Sequence, residues 1–167
     1  MALSLYDISV PVFSRGLGQL THVLEKSLAH ARANDIDPAT LVDARLAPDM
    51  ITLAGQIQRA SDASKLGVAR ISGTAPSFPD EEKTYDELLS RIAKTQAFLA
   101  TVDRTLIDGQ EERQVTIKVR ESEAHFTAQR YLLQFALPNF FFHVTTAYDV
   151  LRHKGMPIGK MDYLGKF

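Results

Sequence analysis

Two side chains on the last long helical pattern, Asn139 and His143, carry the clearest chemical signal in the sequence. They stand four residues apart, so on a helix they lie one above the other on a single face. Their row, Leu132, Ala136, Asn139, His143, Ala147 and Val150, is otherwise apolar. An amide and an imidazole set into such a face have three readings. They form a hydrogen-bonded pair that fixes helix register, because buried polar groups find partners. They line a pocket for a small polar molecule. Or they ligate a metal, since imidazole suits transition ions. A second helical row, Asp49, Leu53, Gln56, Ala60, Ala63 and Gly67, turns to small residues after Gln56. Small residues let another helix approach closely, which places Gln56 and Asp49 beside a helix-lined cavity. Tyr6 and Tyr148 enter only as pocket-lining candidates.

Other chemistries find little footing. The chain has no Cys, hence no disulfide framework, thiol nucleophile or thiolate metal site. There is no Gly-rich phosphate loop, no HExxH and no nucleophile with an evident base. A net charge of -1 gives no electrostatic case for nucleic acid or for an anionic membrane surface. No apolar run approaches a membrane span. The opening MALSLYDISV lacks a basic region and carries Asp7, so a secretion signal is not expected and a cytoplasmic location follows by default. His22 and His30 are eight residues apart, too far for one site along a helix face, and read as surface residues. His125 falls on a hairpin, and His153 near a helix end where the dipole favours its charged form. The acidic run Asp80 to Glu82 reads as a solvated helix start.

The elements that must position Asn139, His143 and Gln56 are mostly helices. With 45% hydrophobic and 23% charged residues, 167 residues suit one globular domain, 1–167. Apolar residues at spacings of three and four predict long helices near 3–33, 48–71, 84–104 and 128–153. Pro11 either bends the first or cuts off residues 3 to 10, and Gly16 and Gly18 weaken it by roughly 1 kcal/mol each unless a neighbour packs close. Asp37-Pro38 predicts a short helix through Ala44, and Pro48 opens the second long helix, with Leu46 on its core row and Gly73 as its stop. Residues 72 to 83 form a connecting loop with Phe78 tucked under it. A capping box, Thr84-x-x-Glu87, starts the third helix. Val115, Ile117 and Val119 alternate with polar residues, which predicts a strand, a turn at Arg120 to Glu123 and a short return through His125 to Thr127. Thr127 caps the fourth helix, and Pro138 predicts a kink near 134–138. After Gly155 the tail is irregular, with Tyr163, Leu164 and Phe167 packing back. Three consecutive Phe, 140 to 142, cannot all face one core, so one is expected outside, a candidate homodimer face.

Three passages, SLYDISVPVFSRGL, RLAPDMITLAGQIQRASDASKLGVARISG and FTAQRYLLQFALPNFFFHVTTAYDVLRHKGMPIGKMDYLG, resemble an uncharacterised domain-of-unknown-function family within the DinB/YfiT-like superfamily. The resemblance covers nearly the whole chain. It implies an all-α, up-down-down-up four-helix bundle, here with a small β-hairpin before the last helix. Several superfamily members resemble metal-dependent thiol transferases, with a divalent ion on three His, one from the second helix and two from an HxxxH on the fourth. Carried over by position, these fall on Gln56, Asn139 and His143, so one His is kept and two are amides. Amide oxygens are poor substitutes for imidazole on Zn or Ni.

The resulting expectation is a DinB-like helical-bundle protein with a degenerate metal site and no cofactor. It binds a small molecule in a polar niche formed by His143, Asn139, Gln56, Asp49 and Tyr148. The alternatives are a structural homodimer without catalysis, and a divergent metal-dependent transferase or hydrolase.

Overall fold

The computed structural model describes residues 3–119 and 121–166. The first long helix, α1, spans Val10–Ala33 with Pro11 in its first turn, where a missing N–H removes nothing from the helix. Pro11 thus cuts off the preceding segment; Leu5 to Ser9 form turns, and buried Ser9 Oγ donates to Leu5 O at 2.6 Å. Helix α2 is a single short piece, Pro38–Val42, capped by Asp37.

The next helix, α3, spans Leu53–Ser72. The start predicted at Pro48 is wrong: Thr52 is the cap, its Oγ1 accepting from Gly55 N at 3.2 Å. Residues 46 to 52 make turns instead, held by Leu53 N donating to Ala44 O at 2.7 Å. Leu46 is accordingly 40% exposed and not part of the core. Gly73, at φ +138°, stops the helix as expected.

Helix α4, Tyr85–Ala100, begins with the predicted capping box: Thr84 Oγ1 accepts from Glu87 N, and Glu87 Oε2 accepts from Thr84 N. It ends four residues early because Asp103 Oδ1 takes the Thr105 amide and opens a separate 3-10 turn at Arg104–Leu106. Strands β1, Gln114–Val119, and β2, Ser122–Thr127, pair antiparallel with Gln114 opposite Thr127. Val115 and Ile117 are buried while Thr116 and Lys118 are exposed, the alternation expected of a sheet with one covered face. The return strand starts earlier than His125; of the predicted turn, Arg120 lies outside the described residues.

The last long helix is interrupted. Helix α5, Ala128–Tyr131, capped by Thr127, runs into a π turn at Leu132–Ala136 and then α6, Leu137–His153. Leu137 N donates to Leu132 O, five residues back. Pro138 has no N–H to offer the preceding turn, so the segment predicted to kink takes the wider turn. The tail is not irregular: α7, Lys160–Leu164, forms after Asp162 Oδ2 accepts from Gly159 N at 2.7 Å. Phe167 lies outside the described residues.

Helix α3 packs on α4 and α6, and α1 packs on the other sides of the same two helices; α7 lies along α1. At the centre Phe13 meets Phe140 edge-on at 5.1 Å, both fully buried. A Cβ on Gly16 would collide with the Phe140 ring, and one on Gly67 would come 2.8 Å from Phe13 Cζ. These two glycines are what allow the aromatic pair to sit between the helices. Among the described residues no helix is long and apolar enough to cross a membrane.

Candidate functional site

Helices α3 and α6 meet along their length, and among the described residues one side-chain hydrogen bond links them. His143 Nδ1 lies 2.8 Å from Gln56 Oε1. An amide oxygen only accepts, so Nδ1 carries the proton and Nε2 keeps its lone pair. Gln56 is 1% exposed and closes the first turn of α3, where Thr52 O takes its backbone N–H. His143 is half-buried, with the exposed ring of Phe142 edge-on to it at 5.3 Å. Burial, and secondarily the Arg59 guanidinium, lower its pKa from 6.5 to about 4, so the imidazole is neutral at physiological pH. Asn139, one turn earlier on α6, is also half-buried at this seam.

The other sequence-predicted residues lie apart from this pair. Asp49 was placed on the α3 face by a helix that starts too early; it is exposed in the preceding turns, with no hydrogen bond to Gln56 or His143 among the described residues. Tyr148 stands against the tail, its ring 5.9 Å from that of Tyr163. It borders a shallow groove of about 160 Å³ with Thr145 and Lys160. Tyr6 donates its backbone N–H to Asp108 and lies under the Arg104 guanidinium at 4.4 Å. Of the histidines outside the seam, His22 reaches Asp162 at 3.1 Å and His125 reaches Thr116 at 3.0 Å, both exposed. Among the described residues no three His, Cys, Asp or Glu side chains are grouped to hold a metal ion.

The family described as Domain of unknown function (DUF1993) matches residues 5–164. The chain belongs to that family. A crystal structure of a DinB family member protein from Shewanella denitrificans, at 1.83 Å resolution, is 36% identical to it. The two superpose with a TM-score of 0.89 over 98% of this chain and 93% of that one. DUF1993 is thereby an uncharacterised family within the DinB-like superfamily, as the sequence passages indicate. No curated protein matches the chain.

A second polar cluster in this DUF1993 domain escaped the sequence reading. Arg91 on α4 is 1% exposed and holds three carboxylates: Glu82 at 3.0 Å, Asp62 at 3.0 Å and Asp80 at 3.1 Å. It also donates to Pro79 O at 2.9 Å, while buried Lys65 on α3 reaches Asp62 and Pro76 O. The Lys65 ammonium sits 3.8 Å from the centre of the Phe78 ring. The acidic run is therefore not a solvated helix start; Asp80 and Glu82 fasten the 73–84 loop to α3 and α4. An Arg at the position between Leu88 and Thr95, on the buried face of α4, was the available signal.

Proposed function

We propose that this DUF1993 domain is a single-domain, up-down-down-up four-helix bundle that works without a metal and holds a small polar molecule at the α3–α6 seam. The order of contacts supports this topology. As the 73–84 loop advances, Pro76 meets Lys65, Asp80 meets Arg59 and Glu82 meets Gln58, so the chain travels back along α3 before α4 begins. That makes α3 and α4 parallel. Gln56 meets His143 while Arg70 meets Tyr131, so α6 runs against α3.

The 2.8 Å bond between Gln56 and His143 carries the functional reading. It selects the Nδ1–H tautomer of an imidazole that burial keeps neutral, leaving Nε2 as an acceptor with no hydrogen-bond partner among the described residues. Asn139 adds an amide that both donates and accepts. This arrangement suits a hydroxyl or amide donor. It suits a divalent ion poorly: the three positions supply one imidazole and two neutral amides, and the Gln56 oxygen is already committed to Nδ1. The test combines metal analysis after zinc loading and dialysis with ring 15N spectra of His143, titrated with N-methylacetamide and ethylene glycol. Substoichiometric zinc and a shift confined to Nε2 are expected. Stoichiometric zinc that disappears in His143→Ala would restore the metalloenzyme reading, and an unmoved Nε2 would leave the pair purely structural.

A homodimer through the outer face of α6 is the second reading, favoured by Phe142 at 57% exposure. A specific interface there buries roughly 1,200 Å² or more in total. A clean 18.6 kDa species in sedimentation at micromolar concentration would dismiss it.

A further inference from the structure

Away from the α3–α6 seam, α1, α6 and the α7 tail enclose a groove of about 230 Å³. It is lined by Val12, Phe141, Val144 and Leu164, by the Gly16 backbone, and by Arg15, Gln19 and Tyr163. The polar groups are thus few, as in pockets that take a small amphipathic molecule.

The tail over this groove is docked by specific contacts. Arg15 donates to Leu164 O at 2.6 Å and to Lys166 O at 3.2 Å. Asp162 accepts from Lys26 at 2.8 Å and faces His22, and these bonds hold its carboxyl down at about 2. Tyr163 Oη meets Thr145 Oγ1 at 3.0 Å. Gly165 adopts φ +70°, the left-handed region that favours glycine, with the end of the Gln19 side chain beside it.

Arg15 is the one charged side chain lining the groove, and among the described residues it has no carboxylate partner. Among the described residues its guanidinium bonds two neutral carbonyls, both from the tail. A carboxylate bonds a guanidinium more strongly than a carbonyl does. Lys166, beside Gln19 at the adjoining surface, adds further positive charge.

We propose that this groove is a binding site for a small monocarboxylate with an apolar body, such as an aryl- or branched alkyl-acetate, and that the α7 tail is its lid. The apolar body lies over Gly16 between Val12 and Phe141, and the carboxylate takes Arg15 from the Leu164 and Lys166 carbonyls. Ligand binding therefore competes with tail docking, and Gly165 reports it.

The probe is phenylacetate, with 2-phenylethanol as its neutral counterpart, followed by calorimetry and by the amide signals of Gly16 and Gly165 in 15N spectra. Phenylacetate is expected to shift both amides, and 2-phenylethanol to bind at least about tenfold more weakly, because it lacks the charge-assisted bond. Arg15→Gln should erase that preference; it also removes the two bonds to the tail, so circular dichroism checks that the helices remain folded in the variant. Val12→Trp should block both probes by filling the groove. The proposal is overturned if millimolar phenylacetate leaves Gly16 unmoved, if Val12→Trp binds it as the parent does, or if the acid and alcohol bind equally. It fails equally if Arg15→Gln retains the parent's preference. None of these readouts involves His143, so the seam reading stands or falls separately.

Discussion

Gly16 and Gly18 sit two residues apart on α1, and replacing each with alanine should move stability in opposite directions. Alanine in a helix interior is favoured over glycine by about 1 kcal/mol at either position. At Gly18 nothing opposes that gain: the nearest atom to a new Cβ is Gln96 Nε2 at 3.7 Å, ordinary contact with the end of a long side chain. At Gly16 the new methyl would meet the Phe140 ring, with Cζ at 2.8 Å. That ring is fully buried and held edge-on by Phe13 and Phe141, both at 5.1 Å, so it cannot yield without moving its neighbours. Overpacking costs about 1–3 kcal/mol, and with a ring this confined the upper part of that range, about 2–3 kcal/mol, applies. Gly18→Ala is therefore expected to stabilise by roughly 0.5–1 kcal/mol, and Gly16→Ala to lose roughly 1–2 kcal/mol net. In a chain of this length the two melting temperatures should then differ by about 5–10 °C. Urea unfolding of the parent and both variants, with m-values compared to exclude a change in the unfolded state, measures the difference. If Gly16→Ala is as stable as Gly18→Ala, the close approach of α1 and α6 at Phe140 is not what demands glycine.

Acid should reveal the buried imidazole. Because His143 titrates near 4 when folded and near 6.5 when unfolded, its contribution is complete above 6.5 and is lost as pH falls from there through 4. A gap of about 2.5 pH units corresponds to ~3.4 kcal/mol, which solvent screening of a half-buried ring reduces to about 1–2 kcal/mol. Unfolding of the parent and His143→Asn at pH 7.5 and pH 4.5 should show this difference, and equal pH dependence in both would contradict it. Arg91→Met should destabilise by about 2–4 kcal/mol, because it removes the buried cation shared by three carboxylates; Asp62 keeps Lys65 and Asp80 keeps Arg59, while Glu82 is left with Gln58. Glu82→Gln, which keeps the shape, should lose less, and a neutral Arg91→Met would mean that the loop is held by other contacts.

Local signals proved legible. The Thr84 capping box, the alternation through Val115 and Ile117, and the punctuation at Pro11 and Gly73 each act over a few residues, so the sequence displays them directly. The start of α3 was misread because Asp-free Ala47-Pro48 resembles a first turn, whereas the Leu53 amide is claimed by Ala44 nine residues back. That error moved Asp49 into a site it does not join. The pairing of Gln56 with His143 came from the family resemblance, since nothing local links residues 87 apart. Arg91 was missed for the same reason: its partners come from α3 and from a loop, and only the fold brings them together. The short α7 helix escaped because one carboxylate, Asp162, both starts it and ties it to α1.

The π turn at Leu132–Ala136 has a consequence for how the last helix can change over generations. A π turn holds one residue more than an α turn, so the two halves of this helix are out of phase with a continuous 3.6-residue winding. One residue corresponds to about 100° of rotation. With that offset in place, Tyr131 before the turn and Phe140 after it are both buried, and His143 reaches the seam. A single-residue deletion within the turn would remove the extra residue and let the helix wind smoothly with His143 still facing Gln56, whereas closing the turn to α with its present residues would swing His143 away. The turn thus absorbs a one-residue change in chain length before it reaches the seam.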